Sequence, residues 1–140
     1  MKQKMIIITG ASKGLGAAIA QRLTSKKIPV IGLSRSIKND LFESIECDVS
    51  SYSSIKSALR KIKKMNVKIR GLINVAGIAS MNLAVTTNEN TVRKIIQTNL
   101  LGTIYSCQLF SPLIIKNKGG IIINFSTIAV PLALKGESIY

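Results

Sequence analysis

Cysteine is scarce in this chain of 140 residues, which contains only Cys47 and Cys107. Both lie in apolar stretches, and their spacing matches neither a metal-binding pattern nor a disulfide framework. We therefore predict no metal site, and two reduced thiols that are buried as small hydrophobic residues. A reducing, cytoplasmic compartment fits this use of cysteine.

Long apolar runs are also missing. At the N-terminus, lysines precede apolar residues as they do in a secretion signal, but the run is too short and Ser12-Lys13 interrupts it. A second apolar stretch, residues 121–134, contains polar residues and Pro131 and is shorter than a membrane-spanning helix. The sequence therefore predicts a soluble protein that has no membrane partner.

Acidic residues are few, since six Asp and Glu stand against twenty Lys and Arg, which gives a formal net charge of +14. Such a charge raises the alternative of a basic nucleic-acid-binding protein. In the densest basic cluster, residues 60–64, the charges alternate with apolar residues at helical spacing, which is typical of the exposed face of a packed helix. Aromatic residues that could stack on bases do not interleave with these charges. We therefore expect a lysine-rich surface and no nucleic-acid partner.

The most informative stretch is the join between the apolar run at residues 5–8 and the glycine-rich turn at residues 9–16. A short β-branched run that ends in glycines is typical of a buried parallel strand, and the residues after the turn favour a helix. Gly10 allows a sharp turn, Gly14 leaves room for a ligand beside the backbone, and Gly16 lets the helix lie close to the strand. The free amides at the helix start then face an anion such as a pyrophosphate. The sequence predicts a dinucleotide site here.

Strands and helices alternate along the rest of the chain. Strands are predicted at residues 5–8, 29–33, 44–47, 71–74 and 121–125, and helices after the glycine turn, from Ser50 or Ser51 to about residue 65, and from residues 86–89 toward residue 118. This alternation implies parallel pairing and right-handed crossovers. No linker or internal repeat divides the chain, so we predict one α/β domain, a Rossmann-type doubly wound parallel sheet of order 3-2-1-4-5. Its ligand crevice would lie beyond the carboxyl ends of the strands, between strands 1 and 4.

The spacing Thr-Gly-x-x-x-Gly-x-Gly of the turn resembles the short-chain dehydrogenase/reductase family. Two later stretches add to this resemblance. Asp48-Val49 is similar to the adenine contact of the family, and Asn74-Val75-Ala76-Gly77 resembles its Asn-Asn-Ala-Gly motif, with Val75 in place of the second Asn. The cofactor-binding residues that the resemblance implies at these three places are Gly10, Ser12, Lys13, Gly14, Leu15, Gly16, Asp48, Val49, Asn74, Ala76 and Gly77.

The end of strand 2 indicates which cofactor is preferred. An NAD site usually presents a carboxylate here to the ribose 2′-hydroxyl, but this sequence has Ser34-Arg35-Ser36. Arg35 offers a planar fork of donors to a 2′-phosphate, which a carboxylate would repel. The family resemblance implies that Lys13 points toward the same region. We therefore predict NADP(H) as the cofactor rather than NAD(H).

The resemblance also implies the catalytic residues. In the family, a tyrosine exchanges a proton with the substrate oxygen, a serine polarises that oxygen, a lysine lowers the tyrosine pKa, and a helical asparagine completes a water site for proton relay. Asn99 matches the asparagine and Tyr140 the tyrosine. Thr127 precedes Tyr140 by the thirteen positions that separate the family's pair, and Ser126 is the alternative. The implied activity is hydride transfer between NADP(H) and a small carbonyl or alcohol substrate, with a 3-oxoacyl thioester as one candidate.

Tyr140 is the last residue, so the sequence does not include the lysine of the family's Tyr-x-x-x-Lys motif. We expect residues 1–140 to be the N-terminal part of a longer enzyme that forms a homo-oligomer, without the family's C-terminal strands and helices. As such a fragment, the chain should be almost inactive, and its uncovered apolar strand at residues 121–125 should make it poorly soluble. A non-catalytic NADP(H)-binding module remains a further alternative.

Overall fold

A computed structural model describes residues 3–36 and 40–136 of the chain. The strands are Lys4–Thr9 (β1), Val30–Ser34 (β2), Glu43–Glu46 (β3), Lys68–Asn74 (β4) and Ile121–Asn124 (β5). They pair in parallel and form one sheet in the order β3-β2-β1-β4-β5. The predicted fold class and strand order are therefore confirmed.

Helices pack on both faces of the central part of the sheet. They are Gly14–Ser25 (α1), Tyr52–Lys64 (α2), Glu89–Ile95 (α3), Gly102–Lys116 (α4) and Ala129–Leu132 (α5), together with a 3₁₀ turn at Ala84–Thr86. A π-helical turn, Ile96–Leu101, joins α3 to α4, so the long helix that the sequence predicted is present but has a wider turn at its centre. Within the described ranges, no helix is both long and apolar enough to cross a membrane.

Side-chain caps fix the starts of two helices. The Ser51 hydroxyl accepts a hydrogen bond of 3.3 Å from the Ser54 amide at the start of α2, which makes Ser51 rather than Ser50 the cap. Asn88 caps α3 in the same way and accepts a bond of 2.9 Å from the Thr91 amide. Such caps satisfy amides that have no partner within the helix. The first helix, α1, starts at Gly14 rather than at the predicted Ala17, because the glycine turn passes directly into it.

The hydrophobic core lies on both faces of the sheet. Because side chains alternate along a strand, neighbouring Ile7 and Ile8 of β1 enter different layers, and both are fully buried. Ile7 belongs to the layer with α2 and α4, where Phe110 is also fully buried, and Ile8 belongs to the layer with Ala20 of α1. A central parallel strand is buried on both faces in this way, which explains the continuous apolar run of β1.

The strand β5 lies at the edge of the sheet and pairs only with β4 among the described residues. Ile121 is 52% exposed, and every residue of the strand is exposed to solvent. The described part of the chain therefore leaves one apolar strand edge uncovered, whereas the central strands are paired on both sides.

Candidate functional site

A cleft of about 770 Å³ lies at the carboxyl ends of the strands, where the strand order reverses between β1 and β4. Its lining includes all the predicted site residues that the structure describes: Gly10, Ser12, Lys13, Gly14, Leu15, Gly16, Arg35, Asp48, Val49, Asn74, Ala76, Gly77, Asn99 and Thr127. The alternative Ser126 also lines the cleft. Tyr140 lies outside the described residues. The fold thus brings together residues from six separate segments of the chain.

The glycine turn after β1 has a backbone that side chains would strain. Gly10 has a φ of +72° and Gly14 a φ of +57°, both in the left-handed region that favours glycine. A Cβ atom at position 10 would stand 2.9 Å from the backbone of Ala76, so only glycine lets these two loops approach so closely. At Gly14, by contrast, a Cβ atom would have no neighbour within 4 Å, so the turn is open there. The turn therefore leaves free space beside its backbone at Gly14, which lines the cleft.

The start of α1 is suited to bind an anion. A Cβ atom at Gly16 would overlap the carbonyl group of Gly10, so only glycine lets the helix lie this close to the turn. Lys13 precedes α1 without giving it a side-chain cap, and the first turn contains no acidic residue. The first amides of this helix therefore have no side-chain acceptor, and the positive end of the helix dipole points at the cleft. A phosphate group would supply the missing acceptors.

Thr9 is a residue whose role the sequence analysis missed. Its side chain is 1% exposed, and its hydroxyl oxygen accepts hydrogen bonds of 3.1 Å from the amides of both Val75 and Ala76. These bonds tie the end of β1 to the loop that follows β4. The sequence did contain a signal for this role, which is a threonine at the end of a buried apolar strand. A buried hydroxyl group needs a hydrogen-bond partner.

A turn after β3 presents Asp48 to the cleft. The Asp48 Oδ1 atom accepts hydrogen bonds from the Ser50 amide at 2.9 Å and from the Ser50 hydroxyl at 2.7 Å. The Asp48 amide donates to the Ser54 hydroxyl at 2.9 Å. Within the described part of the chain, Oδ2 of this carboxylate has no partner, so one of its oxygens remains able to accept a bond from a ligand.

The turn after β2 provides positive charge and no carboxylate. The Ser34 hydroxyl donates a 2.7 Å hydrogen bond to the Ser36 carbonyl, which shapes the turn that carries Arg35. Arg35 and Lys13 are both exposed and line the same cleft. Neither forms an ion pair with any described residue. Two cations are therefore free for an anionic group of a ligand.

Asn74 leaves a buried polar atom without a partner at the end of β4. The side chain is 5% exposed, and its Nδ2 atom donates to Asn124 Oδ1 at 2.8 Å and to Cys107 Sγ at 3.4 Å. Its Oδ1 atom is buried and has no partner among the described residues. Such an atom costs about 1–3 kcal/mol, which a donor from water or from a ligand would offset. The same contacts correct the prediction for Cys107, which is only partly buried and lies beside amide groups.

Asn99 lies in the π-helical turn and holds the loop after β4. Its Oδ1 atom accepts a 2.9 Å bond from the Ile78 amide, and its Nδ2 atom donates at 2.8 Å to the Ile78 carbonyl. Its own carbonyl accepts a 2.8 Å bond from the Thr103 hydroxyl. The mid-helix asparagine therefore has a positioning role for one wall of the cleft.

Two hydroxyl groups reach the cleft after β5. Thr127 is partly buried, and its oxygen accepts a 3.1 Å hydrogen bond from the Ala129 amide, which leaves the hydroxyl proton free to be donated. Ser126 is exposed and has no hydrogen bond to a described residue. Thr127 thus has the better-fixed hydroxyl of the two.

One buried thiol also lines the cleft. Cys47 is 2% exposed, and this burial raises the pKa of its thiol above the ordinary value of 9.0, while a hydrogen bond with Ser54 lowers it and the Asp48 charge adds a further increase. The thiol therefore stays protonated at neutral pH, and it forms part of the wall of the site.

Comparisons with known proteins match this fold and site. The family model for short chain dehydrogenase matches residues 4–140. Carbonyl reductase family member 4 of Xenopus laevis is 30% identical over 98% of this chain and 61% of its own length. A 3-oxoacyl-[acyl-carrier-protein] reductase of Haemophilus influenzae is 30% identical over 100% of this chain and 62% of its own length. The chain thus spans about three fifths of the length of these relatives.

A solved structure is also similar. The ligand-free aldohexose dehydrogenase of Thermoplasma acidophilum superposes with a TM-score of 0.92 at 33% sequence identity. The similarity covers 99% of this chain and 55% of that enzyme. The described sheet therefore has the arrangement found in a dehydrogenase of known structure.

Proposed function

Because this chain belongs to the short chain dehydrogenase family, we propose that it binds NADP(H) and acts in hydride transfer between this cofactor and the carbonyl or alcohol group of a small molecule. The observation that carries the proposal is that one cleft joins a glycine turn, an uncapped helix start and two cations to the hydroxyl and amide groups that such a reaction needs. Among the described residues, neither cation forms an ion pair.

The described residues fit a dinucleotide. The amides at the start of α1 would hold the pyrophosphate, because they lack other acceptors and Gly14 leaves the space beside them open. Asp48 has a carboxylate oxygen without a partner among the described residues and would accept a bond from the exocyclic amine of adenine. The unpartnered Asn74 Oδ1 atom marks a place where a ligand or water donor belongs.

The charges around the cleft support NADP(H) rather than NAD(H). Arg35 follows β2, where a carboxylate would bind an unmodified ribose, and Lys13 lies in the glycine turn. An arginine fork matches the geometry of a phosphate, and neither cation is occupied by an acidic partner within residues 3–36 and 40–136. We therefore assign the 2′-phosphate to these two side chains.

The proposed chemistry assigns a separate task to each remaining residue. When bound, NADPH supplies a hydride. Thr127 would donate its hydroxyl proton in a hydrogen bond to the substrate oxygen, and Tyr140 would exchange a proton with that oxygen. Asn99 would hold the Ile78 wall of the cleft in place. We favour Thr127 over Ser126 because its hydroxyl is fixed by the Ala129 amide.

The similarity to a 3-oxoacyl-[acyl-carrier-protein] reductase supports 3-oxoacyl thioesters as one substrate class. Carbonyl reductase family member 4 supports a carbonyl substrate more generally. A panel of 3-oxoacyl thioesters and small ketones, assayed by NADPH oxidation, separates these two possibilities.

The proposal is tested in two steps, of which the first is titration with NADPH. Absence of NADPH binding would overturn the proposed function. The second step compares Thr127→Ala with Ser126→Ala in the NADPH oxidation assay, with both substitutions made in a chain extended through the lysine of the Tyr-x-x-x-Lys motif, because residues 1–140 alone are expected to be almost inactive. Loss of one hydrogen-bond donor to a reacting oxygen lowers kcat by about 10²–10³-fold, and we expect this loss for Thr127→Ala only. Binding without turnover by residues 1–140 fits both an almost inactive fragment and a non-catalytic cofactor-binding module, and turnover by a chain extended through the lysine of the Tyr-x-x-x-Lys motif would exclude the module.

A further inference from the structure

The π-helical turn at Ile96–Leu101 contacts two different loops of the cleft. On one side, Asn99 holds the backbone of Ile78. On the other side, Gln97 donates a hydrogen bond of 2.8 Å from Nε2 to the carbonyl of Ser50, which is 47 residues away in the sequence. Gln97 does not line the cleft itself. Its side chain therefore acts on the site through the loop after β3.

The loop after β3 is in contact with residues at both ends of the π-helical turn. The Ser50 amide and hydroxyl, at 2.9 and 2.7 Å, fix Oδ1 of Asp48. Just beyond the turn, Gly102 packs against the same loop, since a Cβ atom there would stand 3.0 Å from the Val49 carbonyl. A chain of contacts thus runs from Gln97 through Ser50 to the carboxylate.

We propose that Gln97 is a positioning residue for the adenosine end of the cofactor. It fixes the turn at Asp48–Ser50 and so holds the free carboxylate oxygen in the direction of the cleft. This inference rests on the proposed function, because it takes the cofactor to be NADP(H). Without the hydrogen bond between Gln97 and Ser50, the turn at residues 48–50 has more conformational freedom. Binding of adenosine must then order this turn, which weakens the affinity.

The matched substitutions are Gln97→Met and Gln108→Met. Methionine keeps the length and apolar stem of glutamine but cannot donate a hydrogen bond. Gln108 is an exposed glutamine of α4 that does not line the cleft, so it controls for the same change in a helix. The probes are NADPH, adenosine 2′,5′-bisphosphate and reduced nicotinamide mononucleotide.

We expect Gln97→Met to raise the dissociation constants of NADPH and of adenosine 2′,5′-bisphosphate by the same factor, about threefold to tenfold, which corresponds to one ordinary hydrogen bond. The dissociation constant of reduced nicotinamide mononucleotide and the thermal midpoint of the unliganded protein should match those of Gln108→Met.

Each other outcome overturns the inference in a recognisable way. If the unsubstituted protein binds neither NADPH nor the bisphosphate, the proposed function fails and this inference fails with it. If it binds both and Gln97→Met binds them equally well, only the role of Gln97 is wrong. If Gln97→Met lowers the thermal midpoint and weakens all three ligands alike, the residue serves general stability and does not position the adenosine end.

Discussion

The hydroxyl oxygen of Thr9 lies 3.1 Å from the backbone nitrogen of Ala76 and accepts its hydrogen bond across 67 positions of sequence. The same oxygen accepts from the neighbouring amide of Val75. One side chain at the end of β1 thus satisfies two amides of the loop after β4. This loop and the glycine turn meet at the cleft, and one buried oxygen thus helps to fix their relative position.

Replacing Thr9 with valine should destabilise the fold while preserving its shape. Valine keeps the branched side chain but removes the acceptor, so two partly buried amides, those of Val75 and Ala76, lose their partner. We expect the free energy of unfolding in urea to fall by about 2–4 kcal/mol, because an unsatisfied buried group costs about 1–3 kcal/mol and partial exposure to water lowers the cost of these two. Thr9→Ser is the control because it retains the oxygen. Equal stability of the two variants would show that the hydroxyl has no structural role.

The substitution Arg35→Asp should reverse the cofactor preference. The unsubstituted protein should bind NADPH more tightly than NADH, and the new carboxylate should repel the 2′-phosphate while accepting bonds from the hydroxyls of NADH. A charge-assisted bond contributes about 1.5–3 kcal/mol, so the dissociation constant for NADPH should rise by about tenfold to a hundredfold. Arg60→Asp on α2 makes the same charge change away from the cleft and should leave the ratio of the two constants unchanged. Equal affinities for NADPH and NADH in the unsubstituted protein would contradict the assignment.

The substitution Asn99→Leu should separate a role at the cleft from a role in stability. It removes both bonds to Ile78 and should lower the free energy of unfolding by about 1–3 kcal/mol. Asn117→Leu is the matched control, since Asn117 Nδ2 also makes two backbone bonds, to Ile69 and Leu113, but at the opposite end of β4. Both variants should lose stability, and only Asn99→Leu should also raise the dissociation constant for NADPH. A similar loss of affinity in both would make Asn99 an ordinary structural residue.

The exposed edge strand predicts self-association. An apolar strand with unpaired backbone groups can pair with another chain, and Ile121 of β5 is 52% exposed. A lysine at this position should lower association in sedimentation velocity runs at high protein concentration. Val85→Lys adds the same charge to a residue that is 91% exposed and lies outside the sheet, and it should have less effect. A sharp monomeric profile of the unsubstituted protein would contradict this prediction.

The buried thiol of Cys47 should make stability depend on alkaline pH. Burial raises the pKa of this thiol in the folded protein above its ordinary value of 9.0, so the folded state holds the proton more tightly than the unfolded state. The protonated thiol therefore makes its full contribution to the free energy of unfolding below pH 9.0. This free energy should decline as the pH rises above that value, because the unfolded state then loses the proton first. Unfolding in urea between pH 8 and pH 10 should show a smaller decline for Cys47→Ala. Parallel pH profiles of the two proteins would contradict this linkage.

Local patterns were enough to predict the sheet and the place of the cleft. The β-branched run before Gly10 and the alternation of strands and helices specify buried parallel strands, and parallel strands with crossover helices allow few orders. The helix boundaries were less accurate, as at Gly14, because the turn and the helix share residues. The short helix Ala129–Leu132 and the 3₁₀ turn at Ala84–Thr86 were not predicted at all, since neither has enough length for a periodic pattern.

The sequence by itself determined the glycine turn, because the positive φ angles of Gly10 and Gly14 favour glycine wherever the rest of the chain lies. Only the tertiary structure decided what the polar side chains do. The Thr9 hydroxyl accepts hydrogen bonds from two amides of the loop after β4, and Asn99, in the π-helical turn, holds the backbone of Ile78. Gln97 donates a hydrogen bond to the Ser50 carbonyl in the loop after β3. These partners lie far apart in sequence, and only the packing of helices on the sheet brings their donors and acceptors within bonding distance.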